Sequence, residues 1–144
     1  MKVLFDTNII LDVLLNREPH VELSAKIVSL VENKELEGYL CATTITTLDY
    51  LISKVSNRTR ARIEIQKLLS LFQISSVNQM VLELAVNSKF NDFEDAVQYF
   101  SGECSQVDSF VTRNTKDYKY AELPVNTPDE LWGISLINKN EKQS

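Results

Sequence analysis

Compact apolar runs alternate along this chain with longer stretches in which apolar residues return every three or four positions. The first run, residues 2–6, passes through Val3-Leu4-Phe5 straight into Asp6 and reads as a buried strand. Residues 8–15 are too apolar for a surface helix and open on Asn8, a good capping residue. Asn16-Arg17-Glu18-Pro19 is a break. Leu23, Ile27, Leu30 and Val31 form a helical stripe over 20–33. A short strand at 38–42 precedes a helix over 45–55 that carries Ile45, Leu48, Leu51, Ile52 and Val55. After Asn57 a basic amphipathic helix over 59–72 is expected to turn Ile63, Leu68, Leu69 and Phe72 inward. Residues 74–77 read as a strand, and Asn78 caps a helix reaching Ser88 with Val81, Leu82, Ala85 and Val86 inward. A helix over 93–102 holds Ala96, Val97, Tyr99 and Phe100. A strand at 109–112 and a short edge strand at 123–125 follow. Thr127-Pro128-Asp129-Glu130 is a capping box with proline in the first turn, so 128–137 is a terminal helix. Residues 138–144 form a polar tail expected to fray.

Short strands alternating with helices predict an α/β fold with a central parallel sheet and helices on both faces, a three-layer α/β/α arrangement. A chain of 144 residues has room for one domain, placed at 1–137 ahead of the tail. No apolar stretch reaches a membrane span and no signal-peptide pattern follows Met1-Lys2-Val3, so no membrane partner and a cytoplasmic location are expected. Net charge −5 argues against a protein that coats nucleic acid non-specifically, but not against one that binds it locally. Cys41 and Cys104 have no metal spacing and read as small buried side chains; His20, the single histidine, reads as a surface residue. Common zinc sites and a Ser-His-Asp triad are therefore disfavoured.

The aspartates change the picture. Asp6 lies at the exit of the first apolar run, and Asp117 follows the run Phe110-Val111 closely. Strand exits are where open α/β sheets bind ligands, and carboxylates gathered there repel one another unless a hard cation such as Mg²⁺ or Mn²⁺ joins them. In Asp6-Thr7-Asn8 the Asp6 carboxylate coordinates metal, held by Thr7 and Asn8, or else Asp6 or Asn8 merely caps the next helix. Asp92 and Asp95 share a helix face while Glu94 points elsewhere; they are a metal pair or an N-cap with a dipole-favoured neighbour. Asp49 sits at the margin of a buried helix face and needs either a partner or a metal, unless it is simply exposed. Thr112-Arg113-Asn114 suits the positioning of waters or a phosphate, or else Asn114 and Asp117 build a turn.

As a set, these residues resemble the PIN-domain family, the metal-dependent ribonuclease fold of VapC-type toxins. The likeness spans nearly the whole chain through four motifs: Val3-Leu4-Phe5-Asp6-Thr7-Asn8-Ile9-Ile10-Leu11-Asp12; Thr44-Ile45-Thr46-Thr47-Leu48-Asp49-Tyr50; Asp92-Phe93-Glu94-Asp95-Ala96; and Val111-Thr112-Arg113-Asn114-Thr115-Lys116-Asp117-Tyr118. The resemblance implies a helix-flanked parallel sheet, often dimeric, with Mg²⁺ or Mn²⁺ in an acidic pocket that hydrolyses RNA phosphodiesters, and an antitoxin protein as partner. It implies Asp6 and Asp95 as metal ligands, Asp49 as a ligand directly or through water, and Asp117 acting through water with Asn114 positioning. Two departures stand out: the second acid is usually Glu where Asp49 stands, and the last motif often carries Asp at Asn114. Substrate cations are sought in Arg113 and Lys116 beside the last motif, with Lys119 nearby. Arg58, Arg60, Arg62 and Lys67 read as a second basic group or a solvated helix face. Two other readings compete. One is a non-catalytic PIN-like module that binds RNA or protein. The other is a phospho-accepting receiver domain, disfavoured because Asp6-Thr7-Asn8 lacks a paired acid.

Overall fold

The computed structural model describes residues 1–143. Its centre is a five-stranded, all-parallel sheet, ordered β3-β2-β1-β4-β5. The strands are β1 (Lys2–Phe5), β2 (Glu37–Cys41), β3 (Gln73–Ser75), β4 (Ser109–Val111) and β5 (Val125–Asn126). The helices are α1 (Thr7–Leu14), α2 (Val21–Glu32), α3 (Ala42–Val55), α4 (Arg58–Leu71), α5 (Gln79–Val86), α6 (Phe93–Cys104) and α7 (Pro128–Gln143). A 3-10 turn occupies Thr115–Tyr118.

Parallel neighbours require crossover connections, and the helices supply them. The chain builds outward from β1 through β2 to β3, then returns to place β4 on the other side of β1. The sheet's direction of growth reverses between β1 and β4. Crevices at such reversals, beyond the carboxyl ends of the strands, are where open α/β sheets bind ligands. Phe5 pairs with Val111 in the β1–β4 register, so Asp6 and Thr112 leave the sheet side by side. The Asp6 amide donates to the Val111 carbonyl at 3.0 Å, and the Thr112 amide donates to the Asn126 carbonyl at 3.0 Å.

Side chains alternate across the sheet. Val3, Phe5, Leu40 and Val111 pack in one cluster with Ile9, Ile27, Leu48, Ile52, Leu68 and Leu131 from α1, α2, α3, α4 and α7. Leu4 and Phe110 pack instead with Tyr99 of α6, and Cys41 with Val81, Ala85, Ala96 and Val97 of α5 and α6. The three-layer α/β/α reading is thereby realised.

Several local expectations are corrected. Ile63 and Leu69 of α4 are about half exposed, at 49% and 51%; the buried line runs through Ala61, Leu68 and Phe72. Hydrophobicity alone passes over Ala61, whose small side chain is what a close helix contact accommodates. On α5, Val81 and Ala85 are buried but Leu82 and Val86 are exposed, because an eight-residue helix that is apolar nearly all round can bury only one stripe. Cys104 is exposed, unlike Cys41. The third strand ends at Ser75, the last at Asn126, and α7 continues to Gln143 instead of stopping at 137. The tail was placed at 138–144; its last residue lies outside the described residues. Among the described residues no helix is long and apolar enough to cross a membrane.

Candidate functional site

Asp6 is nearly buried, and its carboxylate is held from both sides. Gln98 Nε2 donates to Oδ1 at 3.0 Å and Thr112 Oγ1 donates to Oδ2 at 2.8 Å. Asp6 occupies the N-cap position of α1 without any side-chain cap bond, so the capping alternative is not realised. Nor do Thr7 and Asn8 hold this carboxylate. Thr7 Oγ1 lies 2.8 Å from Thr44 Oγ1, and Asn8 accepts from Arg17 through both its backbone and side-chain oxygens.

Beyond the ends of β1 and β4 lies a cavity of about 310 Å³. Asp6, Thr7 and Asn8 form one wall, Asp92, Glu94, Asp95 and Gln98 of α6 another, and Asn114 and Asp117 the rim; Thr43, Thr44, Thr47 and Leu51 of α3 complete it. Asp92 is the N-cap of α6, its Oδ1 accepting from the Asp95 amide at 2.9 Å, and it lines the cavity as well. The capping reading of that residue is realised, and the cap leaves Asp92 at the cavity wall. Glu94 was expected to point elsewhere, yet it lines the cavity and accepts from Thr47 Oγ1 at 3.4 Å.

The electrostatics match the geometry. The Asp95 carboxyl is pushed up to about 7, first by burial and then by the negative charges of Asp92, Asp6, Asp117 and Glu94. The Tyr118 hydroxyl is also pushed up, by burial and then by Asp6 and Asp95, so it stays protonated; it accepts from Gln98 Nε2 at 2.5 Å.

Four sequence candidates do not line this cavity: Thr112, which reaches it only through its bond to Asp6, and Asp49, Arg113 and Lys116. Asp49 faces the other way on α3 and accepts from Arg62 Nε at 3.2 Å. The face of α3 turned to the cavity is Thr43, Thr47 and Leu51, spaced by four. That four-residue spacing is the sequence signal for this wall. Arg113 makes a bidentate pair with Asp12, at 2.8 and 3.2 Å, and lines a separate hollow with His20, Ser24 and Thr127. Asp12 is fully buried and also takes bonds from Arg17 and Ser24, so a charge the sequence reading left unremarked is satisfied by two guanidinium groups. Lys116 is exposed and does not line the cavity. Gln98 and Glu94 are what sequence reasoning missed. Gln98 lies one turn beyond Asp95 on the same helix face, the signal that marks it.

The cavity wall offers carboxylate, hydroxyl and amide oxygens, with no imidazole or thiolate among the described lining residues. That donor set fits a hard divalent ion. Among the described residues no three acids already converge as a ready-made metal cage.

Comparison with known proteins agrees with this architecture. The chain is 22% identical over 135 residues to Ribonuclease VapC1 of Aquifex aeolicus (strain VF5), covering 90% of this chain and 92% of that protein. A toxin-antitoxin complex from Klebsiella pneumoniae contains a chain 25% identical with TM-score 0.65, covering 88% of this chain and 97% of that one. VapBC-1 from nontypeable Haemophilus influenzae, 15% identical with TM-score 0.66 over 90% and 99% of the two chains, shares the fold. Residues 2–116 match the family model described as PIN domain, and the chain belongs to the PIN-domain family.

Proposed function

We propose that this chain is a metal-dependent endoribonuclease and the toxin of a toxin–antitoxin pair, acting in the cytoplasm as a homodimer. One observation carries the reading: Asp6, Asp95 and Asp117, delivered by three different elements, border a single cavity at the sheet's switch point. A relative named as a ribonuclease and a fold shared with toxin–antitoxin complexes support it.

A bound Mg²⁺ or Mn²⁺ would screen the phosphodiester's charge and lower the pKa of an attacking water. Asp6 and Asp95 would hold the ion. Asp6 is preorganised for that role because Gln98 and Thr112 fix both its oxygens. Asp95 resists losing its proton without a cation, so ion and proton compete for it. Asn114 and Asp117 at the rim would orient waters, Asn114 without adding charge. Lys116, exposed beside Asp117, is the proposed contact for a substrate phosphate. Arg113 takes a supporting role, tying the segment that carries Asn114 to the buried Asp12.

The deciding experiment is cleavage of a mixed RNA pool with Mg²⁺ or Mn²⁺. Wild type should cut, whereas Asp6→Asn and Asp95→Asn should lose about two orders of magnitude or more, the scale of removing one preorganised charge-stabilising group. Equal cutting by all three sinks the catalytic reading. A non-catalytic binding module is favoured by one observation, the threonine wall on α3 where an acid was expected. RNA binding without cleavage in the same assay would select it.

A further inference from the structure

Gln98 is a buried amide on α6, one turn from Asp95, and it joins four other segments. Its Nε2 donates to Asp6 Oδ1 at 3.0 Å, just beyond β1, and to Tyr118 Oη at 2.5 Å in the 3-10 turn. Its Oε1 lies 3.2 Å from Thr44 Oγ1 of α3 and 3.4 Å from Thr7 Oγ1 of α1; one of these hydroxyls donates to it while the other donates across their own 2.8 Å contact. The amide can face only one way. An ionised carboxylate only accepts, so the NH₂ must turn toward Asp6, and the two hydroxyls supply a proton to the opposite oxygen. The remaining oxygen of Asp6 is taken by Thr112.

Resting on the reading of Asp6 as a metal ligand, we propose that Gln98 is a positioning residue that locks the Asp6 carboxylate in its ion-binding orientation. It also ties the threonine wall of α3 to the site, a helix whose own acid, Asp49, is paired with Arg62 away from the cavity. Partners that orient a ligating carboxylate typically change metal affinity 10- to 100-fold when removed. A hydrogen-bonded amide in this position holds the carboxylate without adding a negative charge to a site already crowded with them.

The test uses Gln98→Met, which keeps volume and removes every hydrogen bond, and Gln98→Glu, which keeps an acceptor for Thr44 but loses the donors to Asp6. Mg²⁺ affinity is measured by calorimetry at a temperature where circular dichroism shows each protein folded, with Asp6→Asn in parallel. Folded variants that bind about 10- to 100-fold more weakly than wild type support the lock. A folded variant that binds within about twofold of wild type overturns it and leaves the Asp6 site standing. Equal affinity in wild type and Asp6→Asn overturns the site and the lock together. The wild-type protein supplies a readout that needs no Gln98 variant to fold. The Gln98 side-chain amide resonances should exchange slowly with water and shift in Asp6→Asn. Exchange as fast as in free glutamine overturns the proposal.

Discussion

At Asp95, burial and four neighbouring carboxylates all act in one direction, favouring the protonated acid. The folded value of about 7 lies above the ordinary 3.8, so the native state holds a proton that the unfolded chain releases. Stability of the metal-free protein should therefore fall as pH rises from about 4 to about 7, then level off. Asp95→Asn should flatten that slope, and urea denaturation between pH 4 and 8 measures it. A wild-type slope matching that of the variant would contradict the crowding argument. Mg²⁺ affinity should rise over the same interval as the competing proton leaves. Asp49 gives the contrast: its pair with Arg62 is exposed, so Asp49→Asn should change stability by less than about 1 kcal/mol and leave cleavage near wild type. A hundredfold loss there would restore Asp49 to the site. Asp6, Asp95 and Asp117 were legible because strand exits and helix faces follow from local pattern. That Asp49 would not line the cavity was not legible, because motif order does not determine which helix face meets it. Gln98 was missed because a neutral amide acquires its role only from residues far away in the chain.

At the scale of elements, α2 and α6 end alike. After each, a residue with positive φ, Lys34 at 59° and Gln106 at 63°, receives the chain. The amide beyond it bonds back, Glu35 to the Leu30 carbonyl at 2.9 Å and Val107 to the Gly102 carbonyl at 3.1 Å, the Schellman arrangement. Glycine suits that backbone better than glutamine, so Gln106→Gly should stabilise by up to about 1 kcal/mol. A lowered melting temperature would mean the Gln106 side chain contributes packing. Gly102 works the opposite way. A Cβ there would lie 2.6 Å from the Phe110 ring, which is itself stacked on Tyr99 and Tyr118. Alanine gains about 1 kcal/mol in helix propensity, but overpacking a tight core costs about 1–3 kcal/mol, so Gly102→Ala should lower the melting temperature. Helix positions and the asparagine cap Asn78 were readable from local chemistry, whereas Asn57, legible as a break, proves to be the cap of α4. The inward faces of α4 and α5 were not, since their phase is set by what each helix packs against.

At the scale of the whole molecule, the site exists only when the fold is complete. Gln98 is 92 residues from the Asp6 it holds, and Thr112 is 106 residues away. Alternating strands and helices made the parallel sheet legible, but the strand order that sets β4 beside β1 is long-range and left no local mark. An unfolded chain cannot reproduce this juxtaposition, so a divalent ion should bind the native state far better and stabilise it by mass action. At a free concentration 100 times Kd the gain is about 2.7 kcal/mol. Mg²⁺ or Mn²⁺ should then raise the urea midpoint at pH 7.5 without changing the slope of the transition, because the surface exposed on unfolding stays the same. The rise should vanish in Asp6→Asn. It should shrink below pH 6, where Asp95 keeps its proton in competition with the ion. A midpoint that rises equally in Asp6→Asn would trace the effect to general screening of the net charge of −5. A slope that changes with metal would show that part of the cavity wall orders only on binding, in which case the preorganised arrangement around Asp6 is itself metal-dependent.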